Sequence, residues 1–243
     1  AFPLILSTGS WSLQHFVDRM FLAWYSPEAI AASTPAGVLN YTLMTPFIGT
    51  AGYVSTFVAQ YHGADRPERV GPSVWQGIYI SLLGAVVMAL LVPLAEPMFR
   101  LAGHAEEIRR QEVIYFSLLC LGAFPGIAAA ALAGFFSGRG QAWPVMWANL
   151  AATLVNIVLD YLLIFGPGGL PELGIAGAAI ATNVSLVAAL AVYAVLILRA
   201  GHDEQFKILR GWRPDPTLLL RILRFGLRTA SSSSWTWRAS PSS

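Results

Sequence analysis

The stretch QHFVDRMFLAWY, residues 14–25, decides how this chain is read. It sets Asp18 and Arg19 side by side in a run that is otherwise apolar from residue 2 to residue 24. About 20 mostly apolar residues make one helical crossing of a bilayer. A carboxylate in such a place has to be explained. The wider composition makes lipid the solvent. Of 243 residues, 56% are hydrophobic and 12% charged, and the mean hydropathy is +0.59. A soluble domain carries about 25% charged residues, and half that share leaves too little polar surface to cover a globule. A formal charge of +2 and a pI near 8.9 give no footprint for nucleic acid. Cys120, the one cysteine, rules out a disulfide framework and a Cys-based metal site, and it reads as packing within an apolar run. We expect no cleavable secretory leader, because the first apolar run is long enough to stay in the membrane.

Six apolar runs of spanning length follow one another, at residues 2–24, 36–61, 73–99, 113–136, 144–166 and 174–198. Helix is the state expected of each, since an isolated strand cannot satisfy its backbone in lipid. The breaks YSPEA, YHGADRPERVG, RLAGHAEEIRRQE, SGRGQAWP and FGPGGLPELG carry turn chemistry. Lys and Arg divide unevenly between the two sides. One side holds Arg66, Arg69, Arg139, Arg199, Lys207, Arg210, Arg213, Arg221 and Arg224, and the other holds Arg100, Arg109 and Arg110. The basic side is expected to be cytoplasmic, with both chain ends on it. Trp24, Tyr25, Trp75, Trp143 and Trp212 fall near span ends, where interfacial aromatics belong. The segment DPTLLLRILRFGL, 215–227, is amphipathic and reads as an interfacial helix leading toward a further span.

Of the 13 acidic residues, only Asp18 and Asp160 lie well inside a span. A carboxylate there costs at least about 2.5–3.5 kcal/mol on insertion scales. With the first and fifth spans running outward, both carboxylates fall in the outer half. Asn156, four residues before Asp160, shares its helix face, and Thr153 extends that face by a turn. Thr182 and Asn183 sit at the same depth on the sixth span. Polar groups from three helices thus converge, and the chemistry they permit is cation handling. A carboxylate in low dielectric favours its neutral form and takes up a proton; with amide and hydroxyl oxygens around it, it can hold Na⁺ instead. Adjacent helix positions do not face each other, so Asp18 and Arg19 should not pair directly. Interhelical glue is the competing role for Asn156 and Thr182. His62 and His104 fall in loops and read as solvated. No phosphate loop, HExxH or nucleophile elbow is present, so no enzyme chemistry and no catalytic residue are expected.

Four stretches resemble the MATE (multidrug and toxic compound extrusion) transporters: FVDRMFLAWYSPEAIAA, FVAQYHGADRPERVGPSVWQG, LAGFFSGRGQAWPVM, and NIVLDYLLIFG followed by LGIAGAAIATNVS. The resemblance covers residues 1–227. It implies an all-α integral membrane protein in which these six transmembrane helices form one lobe of a twelve-helix transporter. It implies export of drugs and organic cations in exchange for H⁺ or Na⁺, by alternating access, from a bacterial-type inner membrane. No cofactor is implied beyond that coupling ion, and no metal beyond Na⁺ at the same residues. Asp18 matches the family's first-span aspartate, Asn156 and Asp160 its fifth-span pair, and Thr182 a sixth-span threonine at the same cation site. The implied organisation is a six-span lobe over 1–199, a cytoplasmic linker and amphipathic helix over 200–227, and a Ser-rich tail over 228–243. The partners implied are the bilayer, small organic cations and a carboxy-terminal lobe absent here.

The tail RTASSSSWTWRASPSS is unlike what precedes it. One base added after the Leu227 codon permits the reading PNGVQFFLDVEG, the start of a seventh span, so a shifted frame is expected from residue 228 onward. Two alternatives stay open. One is a fragment that inserts without transporting. The other is a flippase for lipid-linked oligosaccharides, for which Arg19 alone supplies cationic character in the cavity.

Overall fold

The computed structural model describes the backbone of residues 2–199 and 205–233, and side chains within that range except those of residues 2–5, 8, 199 and 227–233. The expectation of a shifted frame from residue 228 concerns side chains outside this set. Among the described residues the regular structure is helical: α1 (Phe2–Tyr25), α2 (Pro27–Gly52), α3 (Val54–Gly63), α4 (Val70–Leu91), α5 (Ala95–Leu101), α6 (Glu106–Leu121), α7 (Ala123–Ser137), α8 (Ala142–Phe165), α9 (Ile175–Arg199) and α10 (Pro216–Ser233).

These helices combine into the six expected spans, with corrected limits. The break YSPEA is a helix start more than a loop. Ser26 is extended and caps α2 by accepting the Ala29 amide at 2.9 Å, Pro27 fills the first helical position, and Glu28 complements the helix dipole. The second span therefore begins at 27, not 36, and runs through α3. In the same way α6 begins at Glu106, not 113, because a charged first turn is compatible with helix at a membrane surface. Pro67–Leu101, Ala142–Phe165 and Ile175–Leu198 are long and apolar enough to cross a bilayer singly, and α6 with α7 makes a fourth crossing bent by 45°. α1 and α2 have the length but a diluted apolar character, since they carry polar residues such as Gln14, Asp18, Ser33 and Asn40. Those residues face inward.

α8 packs along α9 and, on its other flank, against α1; α2 lies against α6, α7, α4 and α10; α4 lies against α7. Small residues set the close approaches. A Cβ on Gly177 of α9 would lie 2.5 Å from the Leu163 carbonyl oxygen of α8, and one on Gly77 of α4 would lie 2.7 Å from the Ala131 side chain of α7. Small-residue contact is how helices associate tightly in lipid, where apolar burial alone gives no preference for protein over solvent. The apolar core at the centre is built from Leu22, Ile80, Met88, Phe116, Ile127 and Ile164.

The amphipathic segment folds as expected and is longer than read, its helical backbone reaching Ser233. Asp215 caps α10, accepting the Leu218 amide at 3.0 Å and the Thr217 hydroxyl at 2.5 Å. Leu218, Ile222 and Gly226 form its buried face, and a Cβ on Gly226 would meet Thr50 of α2 at 2.9 Å.

Candidate functional site

A cavity of about 750 Å³ opens in the middle of the lobe, lined from α1, α2, α6, α7, α8 and α9. Its walls are mixed. Trp11, Tyr41 and Tyr115 supply aromatic faces, while Asn40, Asn156 and Thr182 supply polar atoms. Asp18 is the carboxylate that reaches it, and Arg19 and His15 reach it as well.

The wall formed by α1 and α8 is polar along its length. Asn149, Thr153, Asn156 and Asp160 fall on one face of α8, at a spacing of four, three and four. Asn149 Nδ2 donates to the Ser7 hydroxyl of α1. The Thr153 hydroxyl is 3.3 Å from the Ser10 carbonyl oxygen and 3.4 Å from Gln14 Oε1, both on α1. Farther along, the partners run out. Asp18 is 7% exposed, and Asn156 and Asp160 are fully buried. Yet among the described residues Asp18 Oδ1, both Asp160 carboxylate oxygens and both Asn156 side-chain polar atoms have no hydrogen-bond partner. Buried polar groups are paired in the great majority of cases, so five orphaned atoms on facing helices mark a place that is completed by something else. The buried Tyr115 of α6 lines the same cavity as Asp18.

The structure thus brings Asp18, Asn156 and Asp160 together on the α1–α8 seam. Asn156 opens onto the cavity and Asp160 lies one turn beyond it, behind the wall. Thr182 lines the same cavity from α9, and among the described residues its hydroxyl makes no hydrogen bond to any of the three. Among those residues no ion pair joins Asp18 to Arg19, as helix geometry requires. The seam gathers two carboxylates and an amide, all short of partners among the described residues. No group of three or more His, Cys, Asp or Glu gathers among the described residues.

Some features were missed from the sequence. Asn40 is buried in α2 and donates toward Cys120 Sγ at 3.5 Å. Its signal was a lone amide in an apolar helix. Tyr115 carried no signal, since a tyrosine near a span end is ordinary. Asn183 serves as glue: its Nδ2 donates to the Leu118 carbonyl of α6 at 2.8 Å. His104 is exposed, as expected, and has a partner as well. Its Nδ1 lies 2.7 Å from Oε1 of Glu112, a carboxylate with no exposure at all.

The family model described as MatE matches residues 3–162. The chain belongs to the MatE family. It is 33% identical over 182 residues to a probable multidrug resistance protein NorM of Synechocystis sp., covering 75% of this chain and 40% of that one. It is 29% identical over 233 residues to a probable multidrug resistance protein NorM of Bradyrhizobium diazoefficiens, covering 96% and 50%. Among solved structures, an outward-facing multidrug resistance MATE family transporter of the MOP superfamily superposes with a TM-score of 0.84 at 25% identity, covering 96% of this chain and 51% of that one. An inward-facing structure described in the same terms gives 0.80 at 26%, covering 91% and 50%. The chain therefore spans about half the length of the MatE relatives it matches, and its six spans have the membrane fold of a MATE lobe.

Proposed function

We propose that this MatE lobe couples a cation, H⁺ or Na⁺, to the export of organic cations, working as a carrier with no bond-making chemistry. The observation that carries the proposal is the orphaned seam: Asp18 and Asp160, buried on facing helices beside a cavity large enough for a drug-sized guest. Asp18 and the aromatic faces of Trp11, Tyr41 and Tyr115 suit a positively charged, partly aromatic guest. In the complete transporter a second lobe would close the cavity from the open side, with both ends of this chain at the cytoplasmic face of the inner membrane.

The mechanism follows from charge. An ionised carboxylate in this setting costs about 2.5–3.5 kcal/mol, and two of them cost about 5–7 kcal/mol. Swinging a two-state equilibrium from 1:99 to 99:1 takes about 5.5 kcal/mol. Neutralising Asp18 and Asp160 by an incoming cation is therefore of the right size to switch the lobe. The neutralised seam lets α1 close on α8, the cavity loses its anionic wall, and the organic cation leaves. Asn156 and Thr182 are the polar groups placed to follow the ion along the wall.

The test is competition. The purified chain should bind ethidium, and acid or Na⁺, but not K⁺, should displace it. Asp18→Asn and Asp160→Asn should each weaken that displacement at least tenfold, and the ion that displaces identifies the coupling. Ethidium binding that stays equally sensitive to pH and Na⁺ in both variants would remove the carboxylates from the mechanism. Transport itself is read separately, as ethidium resistance in an efflux-deficient bacterium.

A further inference from the structure

A second concave site lies at the end of the lobe away from Asp160. It holds about 400 Å³ and is formed where the segment after α9 turns back over the start of α4. Arg69, Lys207, Arg210 and Arg213 line it, with Asp215 as the one carboxylate. That carboxylate is already engaged. Its Oδ1 accepts the Thr217 hydroxyl and the Leu218 amide, and its Oδ2 faces Arg69 at 3.7 Å. Among the described residues Lys207, Arg210 and Arg213 have no ion pair. Three exposed cations thus gather around one hollow whose carboxylate is already engaged, an arrangement that a bound anion would neutralise.

The hollow is also built rather than incidental. Phe206 is buried, and the Arg139 guanidinium lies 4.7 Å over its ring. The Trp75 indole N–H donates to the Ile208 carbonyl at 2.5 Å, and one turn on, the Tyr79 hydroxyl donates to the Trp212 carbonyl. Beneath the segment, α4 presents glycine. A Cβ on Gly71 would lie 2.4 Å from the Phe206 carbonyl oxygen. Lys207 adopts a left-handed backbone, φ +52°, a cost accepted by a non-glycine residue only where the surroundings fix it. Along the rim, exposed Leu209 and Trp212 alternate with Arg210 and Arg213. Apolar and aromatic side chains interleaved with cations are the pattern of a segment at headgroup level, where anionic lipid is the available anion.

We infer that this hollow is a binding site for the phosphate of an anionic glycerophospholipid, held by Lys207, Arg210 and Arg213 while Leu209 and Trp212 enter the acyl boundary. The lipid would fasten the segment between α9 and α10 to the membrane. The inference rests on the membrane fold and not on the transport reading.

The experiment is a titration of the full chain in a neutral detergent with short-chain phosphatidylglycerol, read by native mass spectrometry. Phosphatidylcholine and inorganic phosphate are run beside it. Phosphatidylglycerol should bind at least tenfold tighter than phosphatidylcholine, and 0.5 M NaCl should weaken it, as expected for screened charges. R210Q/R213Q should lose about tenfold in affinity. Lys207→Asn, which keeps the left-handed backbone and both aromatic anchors, should also lose affinity if the double variant fails to fold. Arg110→Gln, on the opposite side of the lobe, should change nothing. Equal binding of the two lipids, or full affinity in both variants, overturns the inference. Displacement of phosphatidylglycerol by inorganic phosphate at matching concentration would make the site one for a soluble anion and overturn it as well.

Discussion

Asp160→Leu should make the protein more stable while disabling its proposed coupling. The side chain is fully buried, and neither oxygen has a partner among the described residues. A buried polar group left unpaired costs about 1–3 kcal/mol, and replacing it by an apolar group of similar size recovers much of that cost. Taking about 2 kcal/mol as recovered, and about 2–4 °C per kcal/mol for a chain of this size, the melting temperature should rise by about 4–8 °C. Thr153→Val on the same face of α8 provides the contrast. Its hydroxyl makes two long contacts to α1, at 3.3 and 3.4 Å, so its loss should cost about 0.5–1 kcal/mol and lower the melting temperature. Thermal unfolding of the wild type and both variants in one detergent, at a pH where carboxylates are ionised, gives the comparison. Opposite signs support a carboxylate kept for function at the expense of stability. A D160L variant destabilised by 2 kcal/mol or more would mean that Asp160 holds the fold together, and the orphaned-seam reasoning would fail.

Three further outcomes follow from local geometry. His104→Ala leaves the buried Glu112 carboxylate without its partner at 2.7 Å, so it should destabilise by about 1–3 kcal/mol in thermal unfolding, with Glu112→Gln in the same background restoring part of the loss. The capping contacts from the Thr217 hydroxyl first, then the Leu218 amide, hold the Asp215 carboxyl below the usual carboxylate range. A depressed folded-state value contributes stability above the unfolded value, lost as pH falls through the folded one. Proteolysis or amide exchange in α10 should therefore rise on acidification, and Asp215→Asn should flatten that response. Trp75→Phe removes the donor to the Ile208 carbonyl at a cost of about 0.5–1.5 kcal/mol, visible as faster cleavage between residues 205 and 215; an unchanged cleavage rate would show that buried Phe206 and the Tyr79 contact hold the segment without it.

Much of the lobe was legible because lipid simplifies the rules. Long apolar runs have to be helices, and a carboxylate among them stands out, so Asp18, Asp160 and the Asn156 face of α8 could be named from spacing alone. The limits of the spans were less legible. Hydropathy sees where apolar character ends, whereas helices α2 and α6 start earlier, at Pro27 and Glu106, where capping and charge favour helix outside the apolar run. Inward-facing positions were harder still. In water the buried face of a helix is the apolar one, but in lipid both faces are apolar, and periodicity cannot say that Tyr115 lines the cavity with Asp18 or that Glu112 is covered. The pairing of His104 with Glu112 joins a residue in a turn to one a helix turn and a half inside α6, a contact that only the bend of the chain around Gly103 creates.

The notch at Gly122, where α6 gives way to α7, reaches beyond packing. A Cβ at Gly122 would lie 1.9 Å from Asn183 Oδ1, while Asn183 holds the Leu118 carbonyl one turn away. Positions 122 and 183 are therefore expected to change together. Alanine at 122 alone is blocked by the amide, and glycine at 183 alone leaves the Leu118 carbonyl unclaimed. Any side chain at 122 turns the Asn183 amide away, and the Leu118 carbonyl then needs a new donor.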